Sequence, residues 1–329
     1  MRRRLAAVAF ALAVGAAVMA MAGDSPLEAY AALARGAAGD STALFRTLAR
    51  ATPLLLSGLA VALALRAGLF NIGAEGQLLC GALAAGWVGF ALPPLPAAVH
   101  LPLALLAGAA AGGAWGFVPG LLRAWRGTHE VIVTIMMNYI AILLTHYLVN
   151  DVLRDPSSLA IATPFVRPAA RLPAVGGNSN LSAGFGIALA MAVAVSLLVR
   201  RTPFGLGTRA VGLNAEAART AGIRVGPLMV AAMTLSGALA GLAGAVEVLG
   251  VHRRFLDAFS PGYGFDSIAV ALLGNLGSAG VCLSALLFGA LGAGAPYMEA
   301  LSHVPRQLVG VVQAVVILAV GARYVGRRG

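Results

Sequence analysis

Apolar stretches long enough to cross a bilayer recur along the whole chain, and that recurrence leaves few folds open to it. A helix rises about 1.5 Å per residue, so about 20 apolar residues cross the roughly 30 Å of hydrocarbon. Backbone groups in lipid have no water to bond, so segments of this length cross as helices. The stretches fall at 5–22, 45–65, 77–93, 99–121, 130–149, 183–199, 227–249, 266–280, 281–298 and 306–321. They predict an all-α, polytopic membrane protein of about ten transmembrane helices, forming one transmembrane domain over residues 1–329.

Composition agrees. Only 11% of residues are charged and 60% are hydrophobic, whereas a soluble domain needs about a quarter charged. The 42 glycines suit membrane helices, which pack closely where small residues face each other. Gly108, Gly112, Gly116 and Gly120 form one such run, and Gly237 with Gly241 another. A net charge of +11 raises the question of nucleic acid, but the arginines fall at span ends rather than along one face. The bilayer is the expected partner and nucleic acid is not. Cys80 and Cys282 lie in apolar runs without metal-ligand spacing, so they read as small core residues, with no disulfide framework and no metal site.

Arg2, Arg3 and Arg4 before an apolar run resemble a secretory signal. The run from Leu5 to Ala22 is longer than the usual signal core, and we expect a retained first helix. With that end inside, Arg66, Arg123, Arg126, Arg200, Arg201, Arg209, Arg219, Arg224, Arg323, Arg327 and Arg328 also fall inside, as the positive-inside rule requires. Asp24, Glu28, Asp40, Asp151, Asp155, Asp257, Asp266 and Glu299 fall outside or near the outer face. Both termini are then cytoplasmic and the number of spans is even. Residues 150–182 form an external loop, broken by Pro156, Pro164, Pro168, Pro173 and a Gly176-Gly177-Asn178 turn. Residues 200–226 are cytoplasmic and contain a short helix capped by Asn214 and ended by Gly222, suited to a cytoplasmic partner or to lying on the headgroups. A weak duplication relates 70–89 to 265–294, and such pairs often mark a transporter's central pathway.

Three polar constellations interrupt the apolar background. In Gly68–Gln77, Asn71, Glu75 and Gln77 are costly at membrane depth unless they face protein or water. Three glycines there argue for irregular backbone lining a cavity; the alternative is a solvated turn. In 130–145, Glu130, Thr134, Asn138, Ala141 and Thr145 share one helix face, opposite Ile132, Ile135, Tyr139 and Ile142. That stripe either lines a pathway or bonds helix to helix. In Ser260–Gly274, Pro261 and two glycines break the chain before a helix near Asp266, which either caps that helix or meets solute. Glu247 reads as structural, paired with Arg253 or Arg254.

At these motifs the chain resembles the permeases of ATP-binding-cassette (ABC) importers of the branched-chain amino acid and simple-sugar type, and within them the nucleoside permeases. The carrying segments read FNIGAEGQ at 70–77, EVIVTIMMNYIA at 130–141 and GYGFDSIAVALLG at 262–274. Ser267 departs from the pattern, standing where glycine is expected. The resemblance implies a transport subunit, not an enzyme, with no catalytic residue or cofactor of its own; ATP is bound by a partner ATPase. It implies a second, similar permease, and a binding lipoprotein or periplasmic binding protein delivering a nucleoside or simple sugar, in a bacterial plasma membrane. Asn71, Glu75, Gln77, Thr134, Asn138, Phe265 and Asp266 would line the substrate pathway. Gly205, Arg209, Gly212, Asn214, Ala217, Ala218, Ala221 and Gly222 would couple to the ATPase. The chain has no GxxxxGK[ST] phosphate loop, which fits a separate ATPase. Two rival readings are an ion-coupled secondary transporter using Glu75 or Glu247, and an intramembrane protease using Ser236.

Overall fold

The computed structural model describes residues 2–176, 180–302 and 304–325, and it is all-helical apart from loops and two isolated bridges. In order the helices are α1 (Arg2–Met21), α2 (Pro26–Ala38), α3 (Ser41–Arg66), α4 (Ala74–Ala91), α5 (Ala97–Arg126), α6 (Glu130–Tyr147) and α7 (Gly184–Arg201). There follow α8 (Pro203–Leu213), α9 (Ala215–Thr220), α10 (Val225–Val246), α11 (Tyr263–Leu273), α12 (Ser278–Ser302) and α13 (Gln307–Val325). Wider π turns extend α6 over Leu148–Val152 and α10 over Glu247–His252. Among the described residues, six helices are long and apolar enough to cross a membrane: α3, α5, α6, α7, α10 and α12, with the π turns included for α6 and α10.

Small residues hold the centre together. Gly108, Gly112 and Gly116 of α5 face Gly237 and Gly241 of α10, so closely that a Cβ on Gly112 would meet the backbone of both. Gly81 and Gly244 extend the seam to α4. Without a hydrophobic effect between helices in lipid, such close approach supplies the dispersion contacts that hold them. α3 is buried almost all round, whereas α5, α6 and α7 turn broad apolar faces outward.

Several expectations change. The interval 266–280 is not one span: α11 has 11 residues, about 16 Å at 1.5 Å per residue, and ends in a turn through Gly274–Gly277. α2, between the first two expected spans, was not anticipated; it packs along α12, Gly36 against Tyr297 and Gly294 against Leu33. α8 was not anticipated either, although Thr202 caps it and Pro203 opens it. In 68–77 only the residues before Ala74 are irregular, so Glu75 and Gln77 sit in the first turn of α4.

The loop after α6 clasps the segment after α10. The amides of Thr163, Val166 and Leu172 donate to the carbonyls of Phe255 (3.0 Å), Arg253 (2.8 Å) and Leu249 (3.0 Å). Arg167 N–H donates to Gly89 at the end of α4 (3.0 Å), tying the loop to the bundle. Gly177 and Asn178 of the expected turn lie outside the described residues, as do Arg327 and Arg328.

Candidate functional site

The stripe on α6 is buried as its spacing predicts: Glu130, Thr134, Asn138, Ala141 and Thr145 are its buried residues, while Ile132, Tyr139 and Ile142 face outward. Its polar groups bond protein. Thr134 and Thr145 donate back to the Glu130 and Ala141 carbonyls, each at 2.8 Å. Asn138 bridges to the entry of α4, accepting from Gly76 N–H and donating to the Ile72 carbonyl, both at 2.8 Å. Glu130 pairs with Arg123 at 3.3 Å and accepts from Phe70 N–H at 3.3 Å.

Asn71 and Gln77 complete this knot. Asn71 Nδ2 donates to Gln77 Oε1 and to Ser236 Oγ, both at 2.8 Å, and Gln77 Nε2 donates back to Asn71 Oδ1 at 3.1 Å. Ser236 Oγ in turn donates to the Ala60 carbonyl of α3 at 2.7 Å. A serine engaged on both sides, within a fully buried amide cluster, has no nucleophile's geometry. The knot joins α3, α4, α6 and α10, and its amides are satisfied by one another and by backbone rather than aimed at a cavity.

Glu75 points the other way. Its Oε2 accepts from Gly264 N–H at 2.6 Å, in the first turn of α11. Gly264 lies so close to the backbone of Glu75 that any side chain there would collide with it. The N-termini of α4 and α11 therefore abut, and the buried carboxylate meets the positive ends of both dipoles. These are the starts of the two segments related by the weak duplication. Capping of α11 falls to Glu75 and to Ser260, whose Oγ accepts from Gly262 (3.2 Å) and Tyr263 (3.3 Å). Asp266 does not cap; it lines a cavity. Phe265 is exposed and lines neither cavity described next.

Two adjoining cavities open above α11, sharing Arg50, Pro261, Tyr263 and Pro296. One, of about 550 Å³, is also lined by Asp266, Phe288, Arg306 and Gln313. The other, of about 400 Å³, is lined by Glu247, His252, Arg46 and Tyr297. Glu247 approaches His252 (3.6 Å), not the Arg253 or Arg254 expected from sequence. Arg254 instead donates to Ser158 (3.0 Å) and stacks on Phe165. Arg50 and Tyr263 were missed. The signal for Arg50 was present: an arginine inside an apolar run is a site by default.

At the opposite end of the bundle, α8 and α9 hold the coupling candidates. Gly205 packs on the Val199 carbonyl and Gly212 on the Arg66 carbonyl, where neither leaves room for a side chain. Arg209 donates to Val199 at 3.3 Å. Asn214 caps α9, accepting from Glu216 and Ala217 N–H at 3.0 Å, and Gly222 ends it in the left-handed region (φ 82°). Ala218 packs with Val211 and Val225, while Ala217 and Ala221 face outward. Leu213 and Leu206 are 89% and 70% exposed.

Residues 43–321 match the family described as the permease component of the branched-chain amino acid transport system. The chain belongs to that family. It is 45% identical over 330 residues to the guanosine ABC transporter permease protein NupP of Bacillus subtilis, covering 97% of this chain and 92% of that one. It is 39% identical to the glucose ABC transporter permease protein TsgB13 of Haloferax volcanii (94% of this chain, 83% of that one). With the nucleoside ABC transporter permease protein NupB of Lactococcus lactis it shares 34% over 98% of its length and 90% of the relative's. No solved structure matches. The permease is thus a multi-pass membrane subunit of an ABC transporter, and it serves transport rather than catalysis.

Proposed function

We propose that this permease forms the pathway of a bacterial plasma-membrane importer for a nucleoside, with a purine nucleoside such as guanosine as the leading solute. The observation that carries the reading is 45% identity over nearly the whole chain to a guanosine permease. The cavities above α11 have matching chemistry. A guanine base offers N–H donors on one edge and O6 and N7 acceptors on another, which suit a carboxylate and a forked guanidinium. Asp266, Glu247 and Arg50 supply those groups, and Tyr263 and Tyr297 supply faces for stacking. Glu75 holds α11 in register beneath them, and the knot of Asn71, Gln77, Thr134 and Asn138 fixes the entry of α4, on which α11 abuts.

In this reading residues 1–329 are one transmembrane domain with both termini cytoplasmic. Residues 150–182 face a binding lipoprotein or periplasmic binding protein, a second permease completes the pathway, and ATPase subunits that bind the ATP dock on 200–226. The exposed Leu206 and Leu213 support that docking face. Closure of the ATPases biases the bundle between two packings, which the solute alone does not. Gly205, Arg209, Gly212, Asn214, Ala217, Ala218, Ala221 and Gly222 build the transmitting helices.

The test is uptake by the assembled transporter in proteoliposomes, with guanosine and glucose as competitors. Guanosine is the expected solute, and Asp266→Asn or Arg50→Gln raises its half-saturation concentration by about 10- to 100-fold, the loss of one charge-assisted hydrogen bond. The 39% identity to a glucose permease favours a sugar as the second reading. Uptake competed by glucose and not by guanosine moves the assignment there.

A further inference from the structure

We propose that a cleft at the arginine-rich end of the bundle, between α3, α7 and α8, binds the phosphate of an anionic glycerophospholipid. The cleft, about 180 Å³, is lined by Arg66, Arg200 and Arg209, and no carboxylate lines it. Among the described residues, none of the three forms an ion pair. Arg66 is fixed in place: its Nε and Nη2 both donate to the Leu276 carbonyl, at 2.8 and 2.6 Å. Arg209 is held more loosely through the Val199 carbonyl. Ser278, the first residue of α12, also lines the cleft and brings a helix N-terminus with its positive dipole end. Unneutralised cations gathered so closely repel one another, and an anion among them removes that cost.

The shape of the cleft selects between sources of phosphate. Above the guanidiniums its walls turn apolar, with Leu59 on α3 and Val195 on α7. Leu59 lies seven residues, about 10 Å, from Arg66 along the helix axis. A phospholipid meets both parts at once, its phosphate at the basic rim and its glycerol and first acyl carbons against the apolar wall. Free phosphate uses the rim alone. A headgroup seated there touches the end of α3, the docking helix α8 and the start of α12, tying the docking face to the bundle. The site does not depend on which solute is carried.

The experiment measures the melting temperature of the assembled, delipidated transporter in detergent during titration with phosphatidylglycerol, phosphatidylcholine or inorganic phosphate. Phosphatidylglycerol is expected to give a saturable rise of several degrees, phosphatidylcholine a smaller one and inorganic phosphate none. Arg200→Gln alters an exposed side chain with no protein hydrogen bond among those described, so it keeps the fold. It should weaken the apparent phosphatidylglycerol affinity about ten-fold. An unchanged titration in that variant overturns the site, as does an equal rise with phosphatidylcholine. An equal rise with inorganic phosphate overturns the lipid and leaves a free-phosphate site.

Discussion

Deleting the Asn138 side chain strands two groups on another part of the chain, the Gly76 N–H and the Ile72 carbonyl. Unpaired in a water-free interior, they cost about 1–3 kcal/mol. Asn138→Ala should therefore lower the thermal midpoint of the detergent-solubilised permease as well as its uptake, and an unchanged midpoint would remove Asn138 from the knot. Ser236→Ala is expected to act in the same direction but more weakly, since Asn71 keeps its bonds to Gln77 and the Ala60 carbonyl keeps its place in the helix ladder. The expense of Asn71, Gln77 and Asn138 at membrane depth was readable from residue type. Their partners were not, because a serine in mid-helix carries no signal until a second helix brings an amide to it. Arg50 shows the opposite failure. A span beginning near residue 45 places it close to the headgroups, but Asp40 caps α3 through Ala43 N–H (2.6 Å) and starts the helix earlier. That carries Arg50 a full turn deeper.

Between elements, the glycine seam of α5 and α10 was legible because spacing alone puts its members on one face. Gly112→Ala puts a methyl against the Gly237 carbonyl and the Gly241 backbone, and the helices must part to admit it. The expected cost is about 1–3 kcal/mol, read as a lower midpoint in thermal unfolding. Gly244→Ala, facing the Leu78 carbonyl, should do the same at the α4 contact. Short amphipathic elements were harder to read: α2 and α8 lack the length that makes a span obvious, and α11 merged with its turn because both are apolar. On the proposed docking face, substitutions at Gly212 or Ala218 disturb packing whatever they do to coupling, since Gly212 abuts Arg66 and Ala218 is buried. Leu213→Asp isolates the effect, for its side chain is solvent-facing. ATP hydrolysis by the assembled transporter should lose its stimulation by solute-loaded binding protein, while the midpoint stays within about 0.5 kcal/mol of wild type. Normal stimulation would place the docking face elsewhere.

For the molecule as a whole, charge placement predicts which end faces the cytoplasm, and two exposed leucines at opposite ends make that measurable. In a background with Cys80 and Cys282 replaced by alanine, Leu159→Cys in the clasped loop should react with a membrane-impermeant maleimide on intact cells. Leu213→Cys should react only after permeabilisation. The reverse pattern would invert the fold in the membrane. The apolar runs showed that the chain folds back repeatedly, but not that one of those segments is a helix of 11 residues. That detail has an electrical consequence. The cavities reach down to the start of α11, and that helix rises only about 16 Å where a bilayer's insulating core is about 30 Å. With water filling the cavities, the same membrane voltage would fall over about half the distance, and the local field would be about twice as steep. An uncharged solute would cross that field without work, whereas any displacement of Arg50 or Asp266 along it would be driven by the cell's resting potential.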